Sequence, residues 1–234
     1  MNALGDLVAR ERRSDDPALA VPDSGRYDYH RLCTTAWKTG NFLRHLGIRE
    51  GVTVGIVTSA SAQPILGFLG ATLLGSAVRF DPLREIDARA LLAPTEAVSD
   101  YELPPGGQRV AYGTPPTDPN VSHFETDVWS ENPTFPETPI SPETVALTGK
   151  TDVSHGELLA AGERVSERWE LDPGDSVVVR APLSDPRAVA AGIVAPLAAG
   201  AEIVLDTAKT GTFSVRDTDD SPEDSDIALD DVRL

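Results

Sequence analysis

The strongest constraint on the fold is a pattern of residues that occurs twice in the chain. Each copy has a glycine, an apolar strand, a helix, a second glycine, a second strand and an aspartate. The matching positions are Gly51, Val54, Gly75 and Asp81 in the first copy and Gly174, Val177, Gly200 and Asp206 in the second. A strand–helix–strand unit of this length makes adjacent parallel strands with a right-handed crossover. The repeat therefore predicts two related units, with chance resemblance between any two such units as the alternative.

Apolar and β-branched runs predict where the strands and helices of each copy lie. The predicted elements are a strand at Val52–Val57, a buried helix at Pro64–Leu74 and a strand at Ala77–Phe80, then a strand at Ser176–Arg180, a helix at Arg187–Ala199 and a strand at Glu202–Leu205. We expect the two strands of each copy to pair in parallel. The fold class is then α/β, with two related βαβ lobes whose parallel strands are covered by helices.

Turn signals and apolar spacing predict further elements outside the repeat. A Pro-Asp-Ser-Gly turn at residues 22–25 separates two short apolar stretches, which is typical of a hairpin. The predicted elements are a helix at Leu4–Arg13, hairpin strands at Ala18–Val21 and Arg26–Tyr29, a helix at His30–Leu46, a strand at Thr144–Leu147 and a helix at Gly156–Trp169.

Composition along the chain predicts four segments. They are a first α/β lobe at residues 1–93, a proline-rich connecting region at 94–142, a second α/β lobe at 143–208 and an acidic tail at 209–234. The connecting region is predicted to be surface loop, with short strands at Ala97–Ser99 and Arg109–Tyr112. We expect a solvated tail, with an edge strand within Ile227–Leu234 as the alternative.

The charge of the chain is strongly negative. It has 37 acidic and 20 basic residues, a net charge of −17, and only three lysines. Acid-rich, lysine-poor surfaces suit proteins in concentrated salt, where a Debye length of about 3 Å at 1 M screens their self-repulsion. We therefore expect a protein of halophilic type. We expect no nucleic-acid partner, because nucleic acid requires a positive surface.

Other classes of protein are excluded by what the sequence does not contain. No run approaches the length of about 18 apolar residues that a membrane-spanning helix needs, so we expect no membrane partner. Cys33 is the one cysteine, which favours a reducing, cytoplasmic location. The histidines are His30, His45, His123 and His155. Their spacing matches no metal motif, and no nucleophile motif is present, so we predict neither a metal site nor a catalytic residue.

The most suggestive segment for ligand binding follows the strand at Thr144–Leu147. Its candidate phosphate-binding residues are Thr148, Gly149, Lys150, Thr151, His155 and Gly156. Backbone N–H groups and a lysine placed between a strand and a helix can hold a phosphate. The segment is not a Walker loop, because Thr144 stands where that motif requires its first glycine. The alternative is a polar turn with Lys150 in solvent.

Three segments of the first lobe carry a resemblance to a known family. Residues 27–32 read Tyr-Asp-Tyr-His-Arg-Leu, residues 46–57 contain Leu-Gly, a second glycine and a strand, and residues 68–82 join an apolar helix to a strand ending in Asp-Pro. They resemble the start of the AMP-forming adenylating enzymes, the acyl-CoA synthetase and ligase family. Residues 140–206 resemble the stretch that carries this family's phosphate loop. The resemblance implies an α/β fold like the front of the family's large N-terminal domain, and ATP or AMP as ligand.

The same resemblance exposes departures from the family. The family's loop reads Thr-Ser-Gly-Thr-Thr-Gly-x-Pro-Lys-Gly. Here Ala146-Leu147 replaces its Ser-Gly, and the Pro-Lys-Gly is missing, so Lys150 is not securely the loop lysine. The 234 residues also stop before the family's adenine-binding, ribose-binding and catalytic-lysine motifs.

These departures lead to three hypotheses about function. The first is a degenerate member without adenylation activity of its own, a binding or assembly module that pairs with a second copy or with a larger synthetase. The second is a ligase-type protein that retains weak ATP or AMP binding at residues 148–150. The third is a structural domain with no ligand.

Overall fold

The computed structural model describes residues 1–22, 25–134, 138–217, 222–223 and 225–234. Its strands are β1 Pro17–Val21, β2 Gly25–Asp28, β3 Thr53–Ile56, β4 Ala77–Phe80, β5 Ala90–Pro94, β6 Gln108–Tyr112, β7 Val121–His123, β8 Val145–Leu147, β9 Val153–Ser154, β10 Ser176–Val179, β11 Glu202–Val204, β12 Phe213–Arg216 and β13 Asp226–Ala228. The turn predicted at residues 22–25 contains Asp23 and Ser24, which lie outside the described residues.

The strands form two sheets, which we name after a strand near the centre of each. The β3 sheet has the order β7-β6-β5-β3-β4-β8-β9, and the β10 sheet has the order β13-β12-β10-β11-β1-β2. β3 pairs in parallel with β4, with Thr53 opposite Ala77. β10 pairs in parallel with β11, with Ser176 opposite Glu202. Both parallel pairs predicted from the repeat are confirmed.

The two halves of the chain exchange hairpins. The β1–β2 hairpin, from the first half, pairs in parallel with β11 of the β10 sheet. The β8–β9 hairpin, from the second half, pairs in parallel with β4 of the β3 sheet. Each hairpin covers a strand that would otherwise present unpaired N–H and C=O groups at a sheet edge. Each sheet is therefore built from both halves of the sequence, and the predicted domain boundaries stay a prediction.

Helices and helical turns connect the strands. The α-helices are α1 Tyr29–His45, α2 Ala62–Thr72, α3 Phe124–Ser130, α4 His155–Arg168, α5 Pro186–Val189 and α6 Ala195–Ala199, with a π-helical turn at Ala190–Val194 between the last two. Short 3-10 turns lie at Leu4–Val8, Arg10–Arg12, Val98–Asp100 and Leu229–Asp231. The single helix predicted at Leu4–Arg13 is wrong, because Ala9 is extended (φ −60°, ψ 160°) and divides it into two turns.

The proline-rich region is more ordered than predicted. β5, at its boundary, and β6 and β7, within it, extend the β3 sheet in parallel, so this region is not only loop. The strand predicted at Arg109–Tyr112 lies within β6. The strand predicted at Ala97–Ser99 is wrong, because the backbone there closes on itself: Ala97 N–H donates to Pro94 O at 2.9 Å and Asp100 N–H to Ala97 O at 3.0 Å.

The acidic tail is not simply solvated. β12 and β13 add two parallel strands to the β10 sheet. Ile227 of β13 is fully buried and belongs to the apolar core. Arginines neutralise the acids that enter the sheet edge, since Arg216 pairs with Asp226 and Arg180 with the buried side chain of Glu223. The edge-strand alternative is therefore supported, with bounds Asp226–Ala228. Asp219, Asp220 and Asp224 lie outside the described residues.

One continuous apolar core holds side chains from both sheets and from the long helices. Glycine lets two helix pairs approach closely. A Cβ on Gly70 of α2 would lie 2.9 Å from the backbone nitrogen of Gly40 on α1, and one on Gly162 of α4 would lie 2.5 Å from Val194 Cγ1. Among the described residues, no helix is long and apolar enough to cross a membrane.

Candidate functional site

The predicted phosphate loop is the turn of the β8–β9 hairpin. Leu147 pairs with Val153, so residues 148–152 connect the two strands. Thr148 N–H donates to Val78 O of β4 at 2.9 Å, which fixes the start of the loop against the β3 sheet. Gly149 and Lys150 are exposed. The prediction placed this loop directly between a strand and a helix, and the structure inserts the two-residue strand β9 before α4.

The loop borders a cavity of about 530 Å³. The cavity lies where the carboxyl ends of β4 and β8 meet the segment that follows β10, the end of a parallel sheet at which ligands bind in α/β folds. Its lining residues are Val78, Arg79, Phe80, Asp81, Leu147, Thr148, Gly149, Lys150, Thr151, Val153, Pro182, Leu183, Ser184, Asp185, Pro186, Arg187 and Leu234. Four of the six predicted phosphate-binding residues are therefore brought together at one cavity.

Charged groups of both signs line this cavity. Asp81 accepts hydrogen bonds from the N–H and hydroxyl of Thr58, each at 2.7 Å. Asp185 accepts from the Arg187 guanidinium at 2.8 Å, and this hydrogen bonding, with a smaller contribution from the charge of Lys150, lowers the pKa of Asp185. Within the described part of the chain, neither Arg79 nor Lys150 has a hydrogen-bond or ion-pair partner. These two cations are available to an anionic ligand.

His155 and Gly156 lie away from the cavity, at the start of α4. Their N–H groups donate to Thr144 O at 2.9 Å and to Pro142 O at 2.8 Å. The next N–H, of Glu157, donates to the side chain of Ser154 at 3.2 Å, and the Glu157 carboxylate accepts the Ser154 N–H at 2.8 Å. The N–H groups at this helix start are therefore already bonded within the fold.

The His155 side chain is fully buried and contacts the N-terminal segment. Its Nδ1 accepts the Leu4 N–H at 3.1 Å, while Nε2 has no partner among the described residues. Burial lowers the pKa of His155 to about 4, so the ring is neutral at pH 7. The contact ties the first turn of the chain to α4. A phosphate-binding role for His155 and Gly156 stays a prediction.

The described side chains bear on two further kinds of site, a reactive thiol and a metal centre. Burial raises the pKa of the Cys33 thiol to about 11, which keeps it protonated and unreactive. In the described residues, no group of three or more His, Cys, Asp or Glu side chains is placed to hold a metal ion.

Sequence reasoning missed four charged residues of the cavity, Arg79, Asp81, Asp185 and Arg187. Asp185-Pro186 carried a usable signal, because an aspartate before a proline is typical of a helix start. Asp185 does cap α5, accepting the Arg187 N–H at 2.9 Å. Nothing in the sequence shows that β4, which holds Arg79, ends beside this cap.

Comparison with solved structures finds the same fold in two CoA ligases and in a nonribosomal peptide synthetase. The anthranilate CoA ligase AuaEII, in complex with anthranoyl-AMP, matches with a TM-score of 0.78 and 18% identity over 92% of this chain and 49% of the ligase. A benzoate CoA ligase from Burkholderia xenovorans LB400 matches with a TM-score of 0.73 and 18% identity over 92% of this chain and 50% of that one. A nonribosomal peptide synthetase, FmoA3 bound to α-methyl-L-serine-AMP, matches with a TM-score of 0.70 and 24% identity over 86% of this chain and 23% of that one.

The chain matches no protein-family model and no curated protein. It spans about half the length of the CoA ligases it resembles. At these identities the likeness is one of fold. The α/β architecture predicted from the sequence is thus confirmed, and it is the architecture of the N-terminal domain of adenylating enzymes.

Proposed function

We propose that this chain is a degenerate module of the AMP-forming ligase type, which binds or assembles with a partner and forms no acyl-adenylate by itself. The observation that carries the proposal is the hairpin before the loop. Ala146 and Leu147 stand where the family's loop has Ser-Gly, and both are buried strand residues with exposures of 0% and 4%. They offer no hydroxyl and no flexible backbone to a phosphate.

The rest of the loop supports this proposal. Catalysis of phosphoryl transfer depends on several positive groups and N–H donors around the transferring phosphate. The Thr148 N–H already donates to Val78 O of β4. Lys150 is the one cation within residues 148–152. Asp81 and Asp185 line the cavity and repel phosphate. Beside these carboxylates, Lys150 and Arg79 are too few positive groups to stabilise the charge of the transition state.

The test is ATP–pyrophosphate exchange with a panel of carboxylic acids. The isolated chain is expected to give background exchange. Exchange above background that Lys150→Ala abolishes would overturn the proposal. A second arm mixes the chain with a full-length AMP-forming ligase and measures the oligomeric state of the same sample. Activity or complex formation that appears only on mixing supports an assembly role, and a stable dimer of the chain alone supports self-assembly.

Weak binding of ATP or AMP is the second candidate function. The cavity favours it, because Arg79 and Lys150 face this cavity without partners in the described part of the chain. The similar AuaEII and FmoA3 structures each hold an acyl-AMP. Calorimetric titration with ATP and AMP tests this candidate. Binding that is lost in Lys150→Ala and kept in Lys38→Ala, a lysine on α1, supports it. No binding by any variant supports a structural domain without a ligand.

We also propose that the protein works in a salty cytoplasm. The net charge is −17. Self-repulsion is expected to weaken the fold below roughly 0.5 M salt, because screening is weaker there and the repulsion acts over longer distances. The melting temperature is expected to rise from low to multimolar KCl. A melting temperature that does not change over this range would remove the halophilic interpretation.

A further inference from the structure

A short segment after β13 also reaches the cavity that the phosphate loop borders. Residues 229–234 turn away from the edge of the β10 sheet, and Leu234 forms part of the cavity lining. Leu229 and Val232 are each 5% exposed, so two apolar side chains fix this segment in the core. We call residues 229–234 the strap.

Helix α4 holds the strap from outside. Arg168 pairs with Asp231 at 3.4 Å, and the Arg164 guanidinium donates to Arg233 O at 2.7 Å. α4 is the helix that follows the β8–β9 hairpin. The strap therefore rests on the element that also carries the phosphate loop.

The strap also contacts a cation of the cavity. Arg187 Nη1 lies 3.0 Å from Asp230 Oδ1 and 3.4 Å from Leu229 O. The opposite side of the same guanidinium binds Asp185 at 2.8 Å. Both sides of Arg187 are thus occupied, and the guanidinium is not available to a phosphate. The Asp230 side chain is 98% exposed, so water competes with this contact and it is easily broken.

We propose that the strap is an autoinhibitory element that limits binding of phosphate-bearing ligands in the cavity. The proposal rests on the second candidate function, ligand binding beside Lys150. Asp230 withholds Arg187 from the ligand. A bound di- or triphosphate competes with Asp230 for that guanidinium and displaces the strap. The Asp230 contact is exposed and breaks easily, whereas releasing the buried Leu229 and Val232 costs apolar burial, and this cost opposes ligand binding.

The test is calorimetric titration of pyrophosphate into three forms of the full chain. Asp230→Asn removes one negative charge close to the cavity and is expected to tighten binding roughly three- to tenfold over the unaltered chain. Asp15→Asn makes the same charge change before β1 and is expected to have no effect. Adding Arg187→Ala to Asp230→Asn is expected to reverse the gain.

Two results would overturn the proposal, and they are distinguishable. If Asp230→Asn binds no more tightly than the unaltered chain while Lys150→Ala abolishes binding, the cavity binds anions and the strap does not control it. If no form binds pyrophosphate, ligand binding in the cavity fails, and the strap proposal fails with it. Hydrogen exchange gives a second readout. Saturating pyrophosphate is expected to speed exchange of the Val232 amide, which bonds Leu229 O at 3.0 Å, and an unchanged rate contradicts displacement.

Discussion

The two exchanged hairpins occupy equivalent places in the fold and differ in how far their strand pairing extends. Leu19 pairs with Tyr27 in the β1–β2 hairpin, as Leu147 pairs with Val153 in the β8–β9 hairpin. In the first hairpin the pairing continues to Val21 opposite Gly25, whereas the second opens directly after Leu147. The backbone plan is therefore shared, and the second hairpin ends in the longer loop, residues 148–152.

The chemistry of the two hairpins differs as well. Arg26 of the first forms an ion pair with Glu202, a carboxylate that is only 6% exposed. Lys150 of the second has no such partner in the described residues and lies at a cavity. The cation of one hairpin is held in an ion pair, whereas that of the other has no ion-pair partner among the described residues. Duplicated architecture thus sets where a hairpin lies, while the roles of its side chains differ.

The helices that follow the hairpins start with a buried polar ring in both copies. The Tyr29 hydroxyl donates to Ala201 O at 2.8 Å, whereas His155 accepts from Leu4 N–H. Tyr29→Ala is expected to have the largest effect of the changes considered, a loss of about 3–5 kcal/mol in the free energy of unfolding, because it leaves a core cavity. Tyr29→Phe is expected to cost about 1 kcal/mol, the value of the hydrogen bond. Urea unfolding measures both, and equal losses would contradict a packing role.

The equivalent position in the second copy is expected to make stability pH-dependent. The pKa of His155 is about 4 in the fold, against about 6.5 in the unfolded chain, so the unfolded chain binds more protons between these values. The contribution of neutral His155 is full above pH 6.5 and is lost as the pH falls to about 4. The loss is expected to be about 2–3 kcal/mol.

His155→Gln removes this titration, and its unfolding free energy is expected to fall less steeply between pH 6.5 and 4. His45→Gln is the control, because the His45 side chain is 70% exposed. Parallel pH curves for the unaltered chain and His155→Gln would show that the buried ring does not titrate as described.

In both copies, replacing the glycine at the close helix contact with alanine is expected to lower stability. Ala at Gly70 or at Gly162 would force its Cβ against backbone or a β-branched side chain, at a cost of about 1–3 kcal/mol each. Gly149→Ala, in the open loop, has no atom within 4 Å of its Cβ and is expected to cost less than about 0.5 kcal/mol. Chemical unfolding compares the three, and a stable Gly70→Ala variant would contradict the packing of α1 on α2.

The smallest expected effect separates the two hairpin cations. Arg26→Ala leaves the buried Glu202 carboxylate without its partner, but the Arg26 side chain is 62% exposed, so the expected loss of stability is about 1 kcal/mol or less. Lys150→Ala breaks no contact in the described residues and is expected to change stability by less than about 0.3 kcal/mol. A larger loss in Lys150→Ala would mean that Lys150 supports the fold.

Periodicity in the sequence predicts the repeat and its parallel pairs, but not the hairpin exchange. Glycine and apolar spacing mark β3, β4, β10 and β11 locally. The partner of β1 is β11, far along the chain, and no local pattern identifies it. β12 was missed, and β13 was predicted only as an alternative to a solvated tail, because apolar residues such as Phe213 and Ile227 lie within a strongly acidic stretch.

The site was predictable only where its residues are neighbours in the sequence. Thr148 to Thr151 are contiguous, so composition and spacing reveal them. Arg79 lies near the end of β4 and Asp185 at the start of α5, and only the fold brings them to the cavity that Lys150 lines. The fold also removes N–H groups that the sequence offered, as at Gly156.

The most direct test of the comparison between the hairpins is a titration with pyrophosphate followed by the backbone amide NMR signals of the whole chain. We expect shifts at Gly149, Lys150 and Thr151 and at Ser184 across the cavity, with Gly25 and Arg26 of the first hairpin unchanged. Shifts at the first hairpin as large as those at the second, or shifts that avoid residues 149–151, would contradict the claim that ligand chemistry lies in one copy only.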